Sequence, residues 1–238
     1  MSLVRTPGPT AWQTATVVKI TDETSRAKTF RLRLERPATH LAGQHYVIRL
    51  TAPDGYTASR SYSIASPPDG TPELDFTVER LDDGEVSAFL HEVVQPGDEL
   101  EVRGPIGGWF VWEGQTPALL VGGGSGLVPL MAMLRLARRA GRSDLVRLIV
   151  SVRSPDDLLY AAELPSAETS IVYTRKNPPG VTRPPGRLTA ADLHHVPEGT
   201  TVYVCGSTGF ANHATDLLLD LGIPASDIRV ERFGPTGN

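Results

Sequence analysis

From about Ala15 to Val111 the chain alternates apolar and polar residues in short runs, broken by clusters of Pro, Asp and Gly. The runs are "TATVVKITD", "TFRLRLE", "QHYVIRL", "SRSYSIAS", "ELDFTVER" and "DELEVRG", and the breaks include "PDG", "PPDG" and "QPGD". A period of two places alternate side chains on one buried face, so this rhythm predicts an antiparallel barrel or sandwich. One run departs from it. In "EVSAFLHEVV" the apolar residues Val86, Phe89, Leu90 and Val93 follow helical spacing, which predicts a helix closing one end of the barrel.

Beyond "WEGQTP" the pattern changes to continuous apolar strands alternating with helical stretches: "ALLVGG", a helix from about Gly126 to Ala140, "VRLIVSVR", "DDLLYAAEL", "SIVYTR", "TVYVCG", "GFANHATDLLLDLG" and "DIRVERFG". Strands buried on both faces and separated by helices predict βαβ units and an open, doubly wound parallel sheet. The expected organisation is a β-barrel domain at 1–114 and an α/β domain at 115–238. "RKNPPGVTRPPGR" reads as a Pro-rich loop carrying Arg175, Lys176, Arg183 and Arg187.

Composition narrows the function classes. A net charge of -4 gives no support for a nucleic-acid binder. The single cysteine, Cys205, excludes an internal disulfide and any all-cysteine metal or iron–sulfur site within this chain. His194-His195 has no accompanying Cys, His and carboxylate cluster in sequence, so no metal site is expected. "MSLVRTPGPTAWQ" lacks a signal-peptide apolar core and no apolar run reaches membrane length, which makes the cytoplasm the default location.

The glycine turn in "ALLVGGGSGLVPLMAMLRLARR" joins a strand directly to a helix, where free backbone N–H groups favour phosphate. It departs from G-x-G-x-x-G, since Gly122 and Gly124 fit but Leu127 takes the third glycine position. Five consecutive small residues nevertheless exceed what a turn needs. At the end of the next strand, where NAD-binding units carry an acid for the ribose diol, the chain has Ser151-Val152-Arg153-Ser154. A hydroxyl and a guanidinium suit a 2′-phosphate, and Arg175 with Lys176 ends the following strand, so NADPH is expected over NADH. Cys205-Gly206 falls at the carboxyl edge of the same sheet, where ligands bind; a lone buried cysteine is also an ordinary core residue.

Taken in order, "RSYS", "GEVS", "GGGSGLVP", "VCGS" and "ERFG" resemble the ferredoxin–NADP reductase superfamily over about Ala15 to Gly234. That resemblance implies a Greek-key barrel holding FAD and a nicotinamide-nucleotide domain. It implies that Arg60 holds the flavin diphosphate, Tyr62 lies against the ring and Ser63 hydrogen-bonds near flavin N5, with Ser61 on the same strand. The stretch Thr77, Val78 and Glu79 is implied to line ribityl and ring, and Gly84, Glu85, Val86 and the Ser87 hydroxyl to meet the diphosphate. Two phosphate motifs imply FAD over FMN. Gly123, Gly124, Ser125 and Gly126 are implied to bind the nicotinamide nucleotide, and Cys205 with Gly206 to lie beside nicotinamide. Glu231 and Phe233 are implied near the flavin; five residues follow Phe233, so no long tail over the adenine is expected. Relatives commonly continue Cys-Gly-Pro, whereas this chain has Ser207-Thr208, which predicts a more flexible loop.

The activity implied is hydride transfer from NAD(P)H to FAD, then one-electron release, with Ser63, Cys205 and Glu231 tuning the reacting centre. With one cysteine the acceptor is expected to be separate: a ferredoxin, a flavodoxin, or a haem or molybdenum oxidoreductase. Two other readings stand beside it: a flavin or quinone reductase of diffusible acceptors, and a non-catalytic electron-relay flavoprotein subunit.

Overall fold

The computed structural model describes residues 11–193 and 196–234. His194 and His195 therefore lie outside the described residues, as does most of the N-terminal stretch read for a leader.

Six antiparallel strands form the first sheet: β1 (Gln13–Thr24), β2 (Ala27–Leu34), β3 (His45–Thr51), β4 (Thr57–Ser63), β5 (Glu73–Glu79) and β6 (Glu99–Ile106), in the order β4-β3-β6-β1-β2-β5. Alternation puts Phe30, Leu32, Ile48, Phe76 and Val102 into one core. The two edge strands meet across a seam joined by an antiparallel bridge between Ile64 and Phe76 and by the Ala65 N–H donating to the Asp75 carbonyl, 2.7 Å. Helix α1 (Glu85–Glu92) packs Val86 and Leu90 into that core and lies beside β4. Full burial of a side chain such as Leu90 contributes roughly 1.5–3 kcal/mol. The six predicted strands and the helix are all present, with ends displaced by at most three residues.

The second sheet is parallel throughout. It comprises β7 (Ala118–Gly123), β8 (Val146–Val152), β9 (Thr169–Tyr173), β10 (Thr201–Ser207) and β11 (Ile228–Phe233), in the order β11-β10-β7-β8-β9. Helix α2 (Leu127–Arg139) covers one face; α3 (Ala190–Leu193) and α4 (Thr208–Asp220) lie on the other. The chain winds from β7 outward to β9, then returns to the other side of β7, so β7 and β10 flank the switch point where their connections diverge. In such sheets the crevice beyond the carboxyl ends at that point is the ligand site.

One expected helical stretch is absent. "DDLLYAAEL" forms a single 3-10 turn at Pro155–Asp157, after which Tyr160 takes a left-handed backbone with φ of 54°. A helix cannot pass through that conformation, which is costly for a bulky residue. The segment is held by burial instead: Leu158, Leu159, Tyr160 and Leu164 all pack into the cluster beneath α2.

That cluster also joins the two sheets. It takes in Ala27, Ala42, Ala65, Phe110 and Trp112 from the first part of the chain along with Leu127, Leu130 and Cys205 from the second. Polar ties reinforce it: the Tyr203 hydroxyl donates to the Val111 carbonyl, 2.7 Å, and Arg229 donates to the carbonyls of Trp109 and Val111 at 3.0 and 2.9 Å.

Candidate flavin and nicotinamide site

On β4, Tyr62 lies opposite Tyr46 and Arg60 opposite Ile48 in the β3 pairing. Residues directly opposite in an antiparallel pair project to the same face. Arg60 and Tyr62 thus share the barrel's inner face at the point where it opens into the β4–β5 seam, while Ser61 and Ser63 take the outer face. Tyr62 is half-buried against the barrel core, and that burial pushes its hydroxyl far above the usual phenol range. Arg60 is exposed; its guanidinium donates to the Ser59 carbonyl, 2.8 Å, and has no acidic partner among the described residues. Arg26, Arg31, Arg33, Arg49 and Arg80 of the same barrel are each paired with a carboxylate. Arg60 is left free for an anion.

Helix α1 packs beside β4, the strand that carries Arg60, and its first turn holds Glu85, Val86 and Ser87, whose N–H groups have no partner inside the helix. The Ser87 hydroxyl, expected on a phosphate, is committed elsewhere: it donates to the Gly84 carbonyl, 3.0 Å, and accepts from the Leu81 N–H, 3.2 Å. Gly84 is required by that arrangement, since a Cβ there would sit 2.3 Å from the Ser87 oxygen. Thr77 is likewise committed, buried between Thr29 and Tyr160, and Val78 faces the barrel core. Of the expected trio on β5, only Glu79 has an exposed side chain. The side chains of Thr77, Val78 and Ser87, implied by the resemblance to line the flavin or meet its diphosphate, are engaged within the fold.

The glycine turn, Gly124–Gly126, lies beside β5, β10 and β11. A Cβ on Gly126 would stand 2.2 Å from the Cys205 carbonyl oxygen, so only glycine allows the turn to seat on the end of β10. Gly123 and Gly206 both press on the Phe210 ring, where a Cβ on either would fall 2.6 Å from it. Gly124, with φ of 56°, has open space where a side chain would project. Its outward side leaves room for a phosphate to approach the backbone.

Cys205 pairs in register with Gly122 on β7 and Glu231 on β11. It is fully buried; burial, and secondarily the Glu231 charge, raises its thiol well above the ordinary value. Burial also pushes the Glu231 carboxyl up to about 7, so this acid is still partly protonated near neutrality. Ser63 is buried at the end of β4, and Ala65 two residues on belongs to the same cluster as Cys205, with Phe233 packed against it. The ends of "RSYSIAS" and "VCGS" thus border one buried cluster. Ser207 does not loosen its loop: it is the N-cap of α4, its hydroxyl accepting from the Phe210 N–H at 3.3 Å, a position that serine favours.

At the far edge, the Arg153 carbonyl accepts from the N–H groups of Arg175 and Lys176 at 2.9 and 3.1 Å. These three residues thus adjoin beyond β8 and β9, exposed and without acidic partners among the described residues. Ser154 is used locally, donating to Asp157 at 2.6 Å. Among the described residues no cluster of three or more His, Cys, Asp or Glu could hold a metal, and no helix is long and apolar enough to cross a membrane. Two surface cavities, of about 640 and 600 Å³, lie around Arg183 and His213 and around Asp75 and Glu163; neither contains an expected site residue.

An arginine on β4 without an acidic partner among the described residues, helix α1 packed beside that strand, and a glycine turn seated on Cys205 together form a donor set that fits a dinucleotide flavin and a nicotinamide nucleotide. Known proteins decide the family. Residues 14–111 match the oxidoreductase FAD-binding domain and residues 120–216 the oxidoreductase NAD-binding domain. Ferredoxin–NADP reductase B of Sorangium cellulosum is 32% identical over 81% of this chain and 84% of its own length. The chain belongs to the ferredoxin–NADP reductase superfamily. It is an FAD-binding, NAD(P)H-dependent oxidoreductase. It is also 32% identical to the glycine betaine monooxygenase reductase subunit of Chromohalobacter salexigens, over 92% of this chain but 63% of that protein, so it spans under two thirds of that relative. In fold it is similar to the flavohem-like FAD/NAD-binding domain of a Vibrio cholerae nitric oxide dioxygenase, with a TM-score of 0.84, 26% identity, and coverage of 94% and 99%.

Proposed function

We propose that this reductase takes a hydride from NADPH onto FAD and releases electrons singly to a separate acceptor protein, of the oxygenase or ferredoxin type. The carrying observation is the seating of the Gly126 turn on Cys205 at the β7–β10 switch point, in the same cluster as the end of "RSYSIAS". The flavin, when bound, supplies the hydride-accepting ring and the step from two-electron to one-electron chemistry. The chain supplies positions and charges. Arg60 and the start of α1 neutralise the diphosphate, and Tyr62 covers the ring from the barrel side. Ser63 holds a hydroxyl at the flavin edge, Cys205 sets the depth of the nicotinamide, and Glu231 holds a proton close by. Phe233 excludes water from the junction. In this reading the flavin unit is 1–114 and the nucleotide unit 115–238.

Arg153, Arg175 and Lys176 support NADPH over NADH, because three adjoining unpaired cations match a 2′-phosphate and would be idle against a free hydroxyl. The relatives named for ferredoxin and for a monooxygenase support a protein acceptor. Steady turnover with NADPH should accelerate on adding a plant-type ferredoxin or a haem acceptor, each taking one electron. Turnover that responds only to a two-electron quinone would instead establish a reductase of diffusible acceptors.

A further inference from the structure

A closed ring of hydrogen bonds crosses the joint between barrel and nucleotide sheet. The Tyr160 hydroxyl donates to Thr77 Oγ1 at 2.5 Å, Thr77 and Thr29 share a bond of 2.7 Å, and Thr29 donates to Glu23 Oε1 at 2.7 Å. The other Glu23 oxygen accepts from the Tyr160 N–H at 3.1 Å. Because Thr29 gives its proton to Glu23, the proton between the threonines belongs to Thr77, and every hydroxyl in the ring has one assigned direction, ending on a carboxylate. Each member is held by a different element: Glu23 on β1, Thr29 on β2, Thr77 on β5, and Tyr160 in the segment after β8.

A second tie stands on the first. Arg135 of α2 lies over the Tyr160 ring at 4.8 Å, donates to both Glu163 oxygens, and places its remaining nitrogen on the Ala65 carbonyl at 2.9 Å. Helix α2 starts at the glycine turn, and Ala65 lies two residues beyond Ser63. Tyr160 follows β8, which ends at Val152, and Thr77 lies next to Phe76, the seam partner of Ile64. Both sides of the crevice are thus fastened within a few residues of the groups that must meet. The left-handed backbone of Tyr160 aims its N–H and its hydroxyl at the same ring of acceptors, an unfavourable conformation retained where it performs work.

We propose that Tyr160 is a positioning residue for hydride transfer. Through Thr77, Thr29 and Glu23 it fixes the nucleotide turn against the flavin strand, and Arg135 locks the ring that carries the hydroxyl. This rests on the proposed function. Small misplacement costs rate steeply, about 100-fold for 1 Å, whereas binding of each cofactor depends on residues within its own half.

Tyr160→Phe deletes one oxygen and keeps the ring under Arg135. In anaerobic stopped-flow mixing its limiting rate of flavin bleaching by NADPH should fall about tenfold, while the nucleotide Kd and the flavin Kd stay within about twofold. Thr77→Val should match it, Thr77→Ser should restore the wild-type rate, and the double variant should be no slower than either single one. Urea unfolding of the flavin-free chain gives an independent reading, in which the same pair should be non-additive. An unchanged limiting rate in folded Tyr160→Phe, or additive losses in the double variant, overturns the proposal and leaves the functional reading intact. If Tyr160→Phe does not fold, Thr77→Val against Thr77→Ser decides in the same way. Wild-type protein that neither NADPH nor NADH bleaches overturns the functional reading and the proposal together.

Discussion

In the proposed function the barrel and the parallel sheet each offer a phosphate a place to bind, by opposite means. The β4–β5 seam opens because two edge strands meet at little more than one bridge, and its positive charge is a side chain, Arg60, aided by the short helix α1. The β7–β10 crevice opens because connections diverge to opposite faces, and there the backbone does the work, through glycines that let a turn sit on β10. A site built from a side chain is open to substitution at modest cost to the fold. A site built from backbone contact cannot change one residue without moving a strand.

The largest expected effect follows from that contrast. Gly126→Ala puts a Cβ 2.2 Å from the Cys205 carbonyl, where only backbone can yield; urea unfolding should show a loss of about 3 kcal/mol, at the upper end for overpacking. Bound flavin should survive in whatever fraction folds, because the barrel core is untouched. Arg60→Ala should do the reverse, keeping stability while weakening flavin binding by about 30-fold, as expected for loss of a charge-assisted contact of about 2 kcal/mol. Flavin release on gel filtration would reveal it, and retained flavin would move the diphosphate elsewhere.

A smaller effect separates the sheet from the barrel by pH. Glu231 holds its proton up to about 7 when folded but only to the ordinary 4.5 when unfolded. The folded state binds the extra proton, so this contribution is full below 4.5 and is lost as pH rises through 7. Across that window Glu231→Gln should gain about 2 kcal/mol relative to wild type, after allowance for partial exposure. Taking the difference cancels His40, His45 and His91, whose burial lowers their pKa in both proteins. A flat difference between pH 5 and 8 would show the carboxyl to be solvated. Smallest is Arg153→Ala, which should narrow the NADPH to NADH preference in kcat/KM about tenfold, one charge-assisted contact.

The same contrast explains what the chain's letters revealed. Alternation in "TFRLRLE" and "ELDFTVER" specified strands, and "ALLVGG" specified a buried parallel one, because burial of a face is periodic along the chain. Cys205, Gly126 and Arg60 stood out because backbone approach and unpaired charge select residue types locally. Thr77 stood out only as a flavin-lining position implied by the resemblance, and Tyr160 not at all. Their bond spans 83 positions in sequence and joins a threonine that alternation assigns to an outer face with a tyrosine in a stretch read as helical. "DDLLYAAEL" looked helical from the spacing of Leu158, Leu159 and Leu164, which are buried, yet the tertiary contacts of Tyr160 impose a backbone that no local propensity favours. Ser207 read as a departure from the family pattern, while its capping of α4 depends only on where the helix begins.

The most direct measurement is anaerobic mixing of the flavin-loaded protein with NADPH and with NADH deuterated at the transferring position of C4. Hydride passage from nucleotide to flavin predicts complete bleaching of the flavin band in one phase, faster with NADPH, and slowed by deuterium about threefold or more, since the transferred hydrogen then moves in the observed step. A flavin band that stays oxidised with both nucleotides would contradict it.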